Sequence, residues 1–230
     1  MEGERRVAVA FSGGLDSSLM AKCASKHVEV VACVAYAKGS GDAQRARQAA
    51  EALGLQLAAS EVTEEEVRGA LAAIELPFEP TLMDKSLWCL YSAVARSARD
   101  LGVRVLLLGQ LADELFGGYA KYAEAVSAEG EASARSMMSA DAREYSSRGR
   151  VRDVSACEGL VEPRFPFEAI ELVEFAASIP VSFKIRDGVR KAVLRRAARK
   201  LGVPEQIAFA PKKAAQYSSG VQKLIASSHF

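Results

Sequence analysis

The chain has 230 residues, half of them hydrophobic and 26% charged, and its formal net charge is only +1. That length suits one domain, with or without an appendage, and leaves no room for a second large catalytic domain. The small net charge argues against a chain-wide attraction to nucleic acid or to a membrane surface.

The sequence shows no pattern of membrane insertion or secretion. No apolar run approaches the roughly 20 residues that span a bilayer, and the N-terminus Met-Glu-Gly-Glu-Arg-Arg lacks the apolar core of a signal peptide. Cys23, Cys33, Cys89 and Cys157 are widely spaced and form no CxxC pair, which favours free thiols over disulfides or a zinc site. We therefore expect a cytoplasmic protein.

Strands and helices alternate through the first half of the chain. Short apolar runs predict buried strands, and apolar residues three and four apart predict helices. The predicted strands are 7–11, 28–37, 55–59 and 103–108, and the predicted helices are 15–25, 43–53, 63–74 and 85–101. Asp42 is a candidate N-cap and Gly54 a candidate C-cap of the second helix, and Thr63 begins a capping box.

This alternation predicts an α/β fold, a parallel twisted sheet with helices on both faces. Right-handed crossovers would bring the loops that follow the strands to one edge of the sheet. Beyond Gly118 only helices are predicted, at 119–126, 131–146, 169–178 and 189–201. We expect residues 1–126 to form the α/β core and residues 127–230 a helical C-terminal part that packs on it and completes the active site.

Residues 11–18, Phe-Ser-Gly-Gly-Leu-Asp-Ser-Ser, lie between the first strand and the first helix. Two glycines permit a tight turn close to a ligand, the helix N-terminus offers unpaired N–H groups, and a carboxylate can hold Mg²⁺. An ordinary Gly-Gly turn before a helix is the alternative. The residues that we predict to bind nucleotide here are Ser12, Gly13, Gly14, Asp16, Ser17 and Ser18.

The same loop lacks a lysine followed by serine or threonine, so it is not the GxxxxGK[ST] cradle that reaches a terminal phosphate. It resembles the PP-loop of the ATP pyrophosphatases, which split ATP between its α and β phosphates. The resemblance implies ATP as the nucleotide.

A second loop, Leu106 to Tyr119, carries Asp113 and Glu114 before a Gly-Gly pair. Alone, an acidic pair is more often a helix N-terminal feature. A carboxylate on this edge loop can face Asp16, however, and two carboxylates with ATP oxygens and water make an octahedral Mg²⁺ site. We predict Asp16 and Asp113 as metal ligands and place Gly109, at the end of the strand, beside the nucleotide.

Gly109 to Tyr119, GQLADELFGGY, resembles the GEGADELFGGY segment of the asparagine synthetase family, which includes the β-lactam-forming synthetases. Further matches in the same order are EPRFPF at 162–167, ELVEFA at 171–176, KIRDG with Lys191 at 184–191, and APKK at 210–213. The likeness runs from about residue 7 to 221 and implies a PP-loop (HUP-like) fold.

The resemblance implies a two-step reaction that needs ATP and Mg²⁺. A carboxylate is adenylated with release of pyrophosphate, and ammonia or an amine then displaces AMP to form an amide. The family's C-terminal lysine maps onto Lys212, with Lys213 as the alternative, whereas two adjacent lysines alone are more often a solvated loop. Asp113 and Gln110 are the other predicted catalytic residues.

Two departures from the family pattern bear on the substrates. The chain begins Met-Glu-Gly-Glu instead of with a glutaminase domain, so we expect ammonia, a separate glutaminase subunit or another amine to supply nitrogen. Gln110 replaces the family's glutamate and Leu111 its glycine. Glutamine keeps hydrogen bonding and loses basicity, and Leu111 is expected to add bulk beside the acyl site, so aspartate becomes a doubtful substrate.

Three further features have two interpretations each. Tyr36, near the end of the second strand, lies beside the adenine or in the core. Arg164 and Asp187 brace the C-terminal part or serve the acyl substrate. The basic segment 184–200 takes pyrophosphate or a polyanion.

The leading hypothesis is an ATP-dependent, AMP- and pyrophosphate-forming amide ligase that acts on a small-molecule carboxylate. The alternatives are a PP-loop tRNA-modifying enzyme and a non-catalytic nucleotide-binding subunit. Nucleic acid is the less favoured partner, no membrane is expected, and the sequence leaves a homodimer open.

Overall fold

The computed structural model describes residues 3–210 and 219–227. Five parallel strands form one sheet in the order β3-β2-β1-β4-β5. The strands are β1 (Arg6–Ala10), β2 (Glu29–Ala37), β3 (Gln56–Val62), β4 (Val105–Leu107) and β5 (Glu162–Arg164). In the middle of the sheet Val9 of β1 is in register with Ala32 of β2 and with Leu107 of β4.

Thirteen α-helices are described around this sheet. They are α1 (Leu15–Ala24), α2 (Asp42–Leu53), α3 (Glu64–Ala72), α4 (Leu82–Asp100), α5 (Ala112–Phe116), α6 (Ala120–Glu129), α7 (Glu131–Glu144), α8 (Arg150–Ser155), α9 (Ile170–Ser178), α10 (Val181–Lys184), α11 (Ala192–Lys200), α12 (Glu205–Ala208) and α13 (Val221–Ser227). A π-helical turn, Tyr145–Gly149, joins α7 to α8, and a 3-10 turn spans Pro166–Glu168.

Alternate residues of the central strands point into two separate cores. Val7 and Val9 belong to the layer packed by α1, α2, α5, α9 and α11, whereas Ala8 belongs to the layer packed by α3, α4 and α13. Burial on both faces explains why these strands are continuously apolar in sequence. The fold class predicted from the sequence is thereby confirmed.

The helical prediction for the C-terminal part needs one correction. Residues 162–164 form β5, which pairs in parallel with β4 at the edge of the sheet. Pro163 removes a backbone donor, which an edge strand tolerates, and it hides the strand from pattern reasoning. The C-terminal part therefore contributes to the sheet, and the division at residue 127 stays a prediction.

Of the three helix caps predicted around α2 and α3, two are confirmed and one is wrong. Gly54 ends α2 with φ +66°, and Thr63 forms a full capping box with Glu66. Asp42 was wrong as a cap: Gly41 is the N-cap, and Asp42, the first helical residue, pairs with Arg45 instead.

The four cysteines are free thiols, as expected. Within residues 3–210 and 219–227, no helix has both the length and the apolar character needed to cross a bilayer. The cytoplasmic location stays a prediction.

Candidate active site

A cavity of about 710 Å³ opens at the carboxyl ends of β1, β2 and β4. Its size lies in the range of small-molecule sites. It is lined by the loop after β1, the end of β2, the start of α11, α4, the loop after β4 and the π-helical turn.

The loop after β1 depends on Gly13, which has φ +69°. A Cβ at this position would lie 2.8 Å from the backbone oxygen of Arg45 in α2. The absence of a side chain lets the loop pack against α2 and turn into α1, whose ten residues follow the N-cap Gly14. The unpaired N–H groups of the first turn of α1 can receive an anion.

Arg45 also braces this loop through its side chain. Its Nε donates to the carbonyl oxygen of Ser12 at 2.9 Å, and its terminal nitrogen forms an ion pair with the buried Asp42 at 2.8 Å. The hydroxyl of Ser17 donates to the carbonyl oxygen of Gly14 at 3.3 Å and lies 3.4 Å from the hydroxyl of Ser12. These contacts fix the two hydroxyls at the cavity surface.

Lys191 connects the two loops that the sequence predicts to face each other. Its Nζ lies 2.6 Å from Oδ2 of Asp16 and 2.8 Å from Oδ1 of Asp113, and its side chain is only 4% exposed. Burial acts to lower the pKa of Lys191, but the two carboxylates more than offset it, so the pKa is raised. The ammonium therefore stays charged and holds both acids at one point.

The two acids fit a divalent cation in part. Carboxylate oxygens suit Mg²⁺, and both acids already contact one positive charge. Within residues 3–210 and 219–227 no group of three or more His, Cys, Asp or Glu residues could hold a metal. A bound Mg²⁺ would thus take two protein carboxylates, phosphate oxygens and water, and Lys191 would have to move aside.

Gln110 lines the cavity and belongs to a buried polar network. Its Nε2 donates to Oδ2 of Asp153 at 2.8 Å, and Asp153 also accepts from Arg152 at 2.8 Å and from the Tyr145 hydroxyl at 3.3 Å. Arg152 in turn forms an ion pair with Asp84 at 3.1 Å. The network ties α4, the π-helical turn and α8 to the loop after β4.

Glu114, which follows Asp113, is a buried residue of the cavity wall. Burial raises the pKa of its carboxyl, and the Tyr119 hydroxyl, which donates to it at 2.7 Å, acts in the opposite direction. Glu114 and Tyr119 both line the cavity.

Most of the site residues predicted from the sequence line this cavity. They are Ser12, Gly13, Gly14, Asp16, Ser17 and Gly109 from the predicted nucleotide-binding set, and Gln110 and Asp113 from the predicted catalytic set. Ser18 is fully buried and Tyr36 half-buried, and neither is among the lining residues, although the neighbouring Val34 and Ala35 are. Lys212 and Lys213 lie outside the described residues.

The remaining predictions concern Leu111, the pair Arg164 and Asp187, and the basic segment 184–200. Leu111 packs in the core with Leu115 and is not among the residues that line this cavity, so its effect on the acyl site stays a prediction. Arg164 pairs with its neighbour Glu162, and the side chain of Asp187 is 89% exposed. From the basic segment 184–200, three cations line the cavity: Arg190, Lys191 and Arg195.

Sequence reasoning missed the contacts of Arg45, Lys191 and Asp153. Lys191 belongs to the segment that matches the family's KIRDG stretch, but its partner Asp16 is 175 residues away in sequence. Nothing in the pattern around Arg45 or Asp153 distinguishes them from ordinary helix residues.

Comparison with known proteins supports the family resemblance that was noted in the sequence. The model of the asparagine synthase family matches residues 1–161 and 128–227. A protein of Methanocaldococcus jannaschii whose name refers to glutamine-hydrolysing asparagine synthetase 1 is 32% identical over 98% of this chain and 48% of its own length. The glutamine-hydrolysing asparagine synthetase 3 of Arabidopsis thaliana is 29% identical over 93% of this chain and 39% of its own length.

The chain thus spans less than half the length of these curated relatives. Among solved structures, that of a predicted subunit of tRNA methyltransferase from Methanocaldococcus jannaschii aligns with 91% of this chain and 95% of its own. Its sequence identity is 15% and the TM-score is 0.40.

Proposed function

The chain belongs to the asparagine synthase family, whose members use ATP, and on that basis we propose that it is an ATP-dependent, AMP- and pyrophosphate-forming amide ligase. It adenylates a small-molecule carboxylate and transfers the acyl group to ammonia or an amine. The observation that carries the proposal is the meeting of Asp16 and Asp113 at one cation, beside the glycine loop that begins α1.

In the first step a carboxylate oxygen attacks the α-phosphorus of ATP, and the bond from that phosphorus to the β-phosphate bridging oxygen breaks. Negative charge grows on the departing pyrophosphate. In this proposal the first turn of α1 and the hydroxyls of Ser12 and Ser17 bind the phosphates, and Lys191 and Arg190, which line the same cavity, supply positive charge. Mg²⁺, when held by Asp16 and Asp113, would add charge neutralisation on the phosphate oxygens.

In the second step the nitrogen attacks the acyl carbon, a carbon–nitrogen bond forms, and AMP leaves with the electron pair of the broken carbon–oxygen bond. The cavity extends from the glycine loop to Gln110 and Tyr145, so one continuous space can hold the nucleotide and the acyl group. Lys212, with Lys213 as the alternative, remains the predicted cation for this step.

The test is a screen of carboxylates, including L-aspartate, with ATP, Mg²⁺ and either ammonium or hydroxylamine. Over many turnovers AMP and pyrophosphate should form in equal amounts, and continued turnover should require both the carboxylate and the nitrogen donor. Asp16→Asn should abolish both products, whereas the matched Asp100→Asn, on the exposed end of α4, should leave them unchanged.

Formation of ADP instead of AMP would overturn the proposal. ATP turnover that responds to added tRNA but to no carboxylate would favour the tRNA-modifying alternative. A separate glutaminase subunit and a homodimer also stay predictions, which gel filtration with and without a candidate glutaminase would check.

A further inference from the structure

A second cavity, of about 520 Å³, lies between α5, the end of α7 and α9. Its size is in the range of small-molecule sites, and within the described residues it shares no lining residue with the active-site cavity. Its apolar lining consists of the buried Leu111 and Leu115 and the half-buried Val173. These side chains suit an aliphatic group of a ligand, because packing against them removes apolar surface from water.

The hydrogen-bonding groups of the second cavity are of two kinds. The Ser146 hydroxyl donates to the carbonyl oxygen of Ala142 at 2.9 Å. The Ser147 hydroxyl likewise donates to the carbonyl oxygen of Glu144 at 3.1 Å. Because a hydroxyl has a single proton, both serines in this arrangement accept from a ligand and do not donate to it.

Arg143 is the opposite case, because its guanidinium donates hydrogen bonds and accepts none. Its side chain is exposed and lines the second cavity, and within residues 3–210 and 219–227 no carboxylate pairs with it. A ligand carboxylate, which only accepts hydrogen bonds, is complementary to it in charge and in geometry.

Glu168 adds a carboxylate with one unsatisfied oxygen to the wall of the second cavity. Its Oε2 accepts from Nε of Arg150 at 2.8 Å, whereas its Oε1 is buried without a hydrogen-bond partner among the described residues. A buried acceptor without a donor is unfavourable, and a charged donor relieves it most strongly. An ammonium group is therefore the ligand group that matches Glu168 and the two serine hydroxyls.

Leu111 connects the second cavity with the active site. Its φ is +70°, a left-handed conformation that is strained for leucine. It follows Gln110 and is the N-cap of α5, whose second residue is Asp113, and both Gln110 and Asp113 line the active-site cavity. A ligand that packs on Leu111 thus acts on the backbone that positions these two side chains.

We propose that the second cavity binds a free α-amino acid with an aliphatic side chain, and that its occupancy changes the affinity of the active site for ATP through Leu111. The carboxylate binds Arg143, the ammonium binds Glu168 and the serine hydroxyls, and the side chain packs against the three apolar residues. Arg143 is the only basic residue among the described residues that line this cavity, so an acidic amino acid would leave its second carboxylate unpaired.

The experiment is isothermal titration calorimetry of the full chain with L-leucine and two of its analogues. One analogue, 4-methylpentanoate, lacks the ammonium, and the other, 3-methylbutylamine, lacks the carboxylate. Each should bind at least about tenfold more weakly than L-leucine, because each loses charge-assisted hydrogen bonds. L-aspartate should also bind more weakly. Equal affinity for L-leucine and either analogue would overturn the proposal.

Arg143→Gln should weaken binding of L-leucine about tenfold and leave the affinity for 3-methylbutylamine unchanged, because that amine has no carboxylate to lose. The matched control is Arg99→Gln at the exposed end of α4, which lines neither cavity and should bind L-leucine as the wild type does. Asp16→Asn, in the active-site cavity, should also retain L-leucine binding. Unchanged binding in Arg143→Gln, or loss of binding in Asp16→Asn, would place L-leucine elsewhere and overturn the proposal.

The link to the active site is measured by titrating ATP with and without saturating L-leucine. The Kd for ATP should change about fivefold or more, and ATP should change the Kd for L-leucine by the same factor. An ATP affinity that does not respond to L-leucine would overturn the link through Leu111. None of these measurements requires AMP formation, so their outcome is independent of the proposed function.

Discussion

Gly118 and Asp113 lie so close that a Cβ on Gly118 would be 1.6 Å from Oδ1 of the Asp113 carboxylate. The same Cβ would be 2.5 Å from Cε of Lys191. Gly118, the second glycine of the pair after α5, thus leaves the space in which the Lys191–Asp113 ion pair forms. A motif that looks like a flexible turn in the sequence is a packing requirement of the cavity.

Gly118→Ala should therefore disrupt the ion pair and abolish AMP formation. Urea unfolding should also show a loss of about 2 kcal/mol or more, because a buried ion pair is displaced. The matched control is Gly69→Ala on the exposed face of α3, where a Cβ meets nothing within 4 Å. Full activity in Gly118→Ala would show that Asp113 works from another rotamer.

Lys191→Met tests the cation between the two acids. The substitution keeps a long side chain and removes the charge, so two carboxylates are left facing each other, at a cost of about 3–5 kcal/mol. Addition of Mg²⁺ should recover part of that loss, and the rise in thermal midpoint with Mg²⁺ should be larger than in wild type. Lys200→Met, at the exposed end of α11, is the control. An equal response to Mg²⁺ in both variants would argue against a metal at Asp16 and Asp113.

The sequence predicted the part of the site that lies in two short loops. The loops after β1 and β4 are short runs with glycines and acids in fixed order, and a parallel sheet brings such loops together at one edge. The pairing of Asp16 with Asp113 could therefore be predicted from the sequence alone. The sheet itself followed from apolar runs that alternate with helices.

The remaining half depends on tertiary contacts. Lys191 has a positive φ of 57° and reaches Asp16 across 175 residues of sequence, and no periodicity signals either feature. β5 has three residues with a proline at its centre, so it has no alternating pattern. Asp153 looks like one charge of a helical surface, and only burial and the contact with Gln110 distinguish it.

Asp84 makes stability depend on pH. Burial acts to raise the pKa of this carboxyl, but hydrogen bonds from Thr81, Arg148 and Arg152 outweigh it, so the folded pKa lies below the usual value of 3.8. Its stabilisation is therefore complete above the unfolded pKa and is lost as the pH falls through the folded pKa. Between pH 7 and 3, the free energy of unfolding of wild type should fall more steeply than that of Asp84→Asn.

Urea titrations at each pH measure this difference, and Asp100→Asn, whose carboxylate is 69% exposed in wild type, should track the wild type. Parallel curves for wild type and Asp84→Asn would mean that Arg148 and Arg152 do not stabilise the charged form.

Gly13 and Gly14 are adjacent, yet they should differ sharply on substitution. At Gly13, φ is +69° and a Cβ would lie 2.8 Å from the backbone oxygen of Arg45, whereas at Gly14, φ is −85° and the nearest atom is the Ser12 hydroxyl at 3.3 Å. Gly13→Ala should cost about 2–4 kcal/mol of unfolding free energy from left-handed backbone strain and the clash with α2, and Gly14→Ala less than about 1 kcal/mol.

Urea unfolding of both variants, with the KM for ATP, measures the contrast. Because the Gly13 contact is with the backbone of Arg45, removal of that side chain cannot relieve it. Gly13→Ala combined with Arg45→Ala should therefore be at least as destabilised as Gly13→Ala alone. Equal losses in the two glycine variants, or rescue by Arg45→Ala, would place the constraint in the Arg45 side chain and its bond to the Ser12 carbonyl. The loop would then be held in position by a side-chain brace, and the close approach of two backbones would not be the cause.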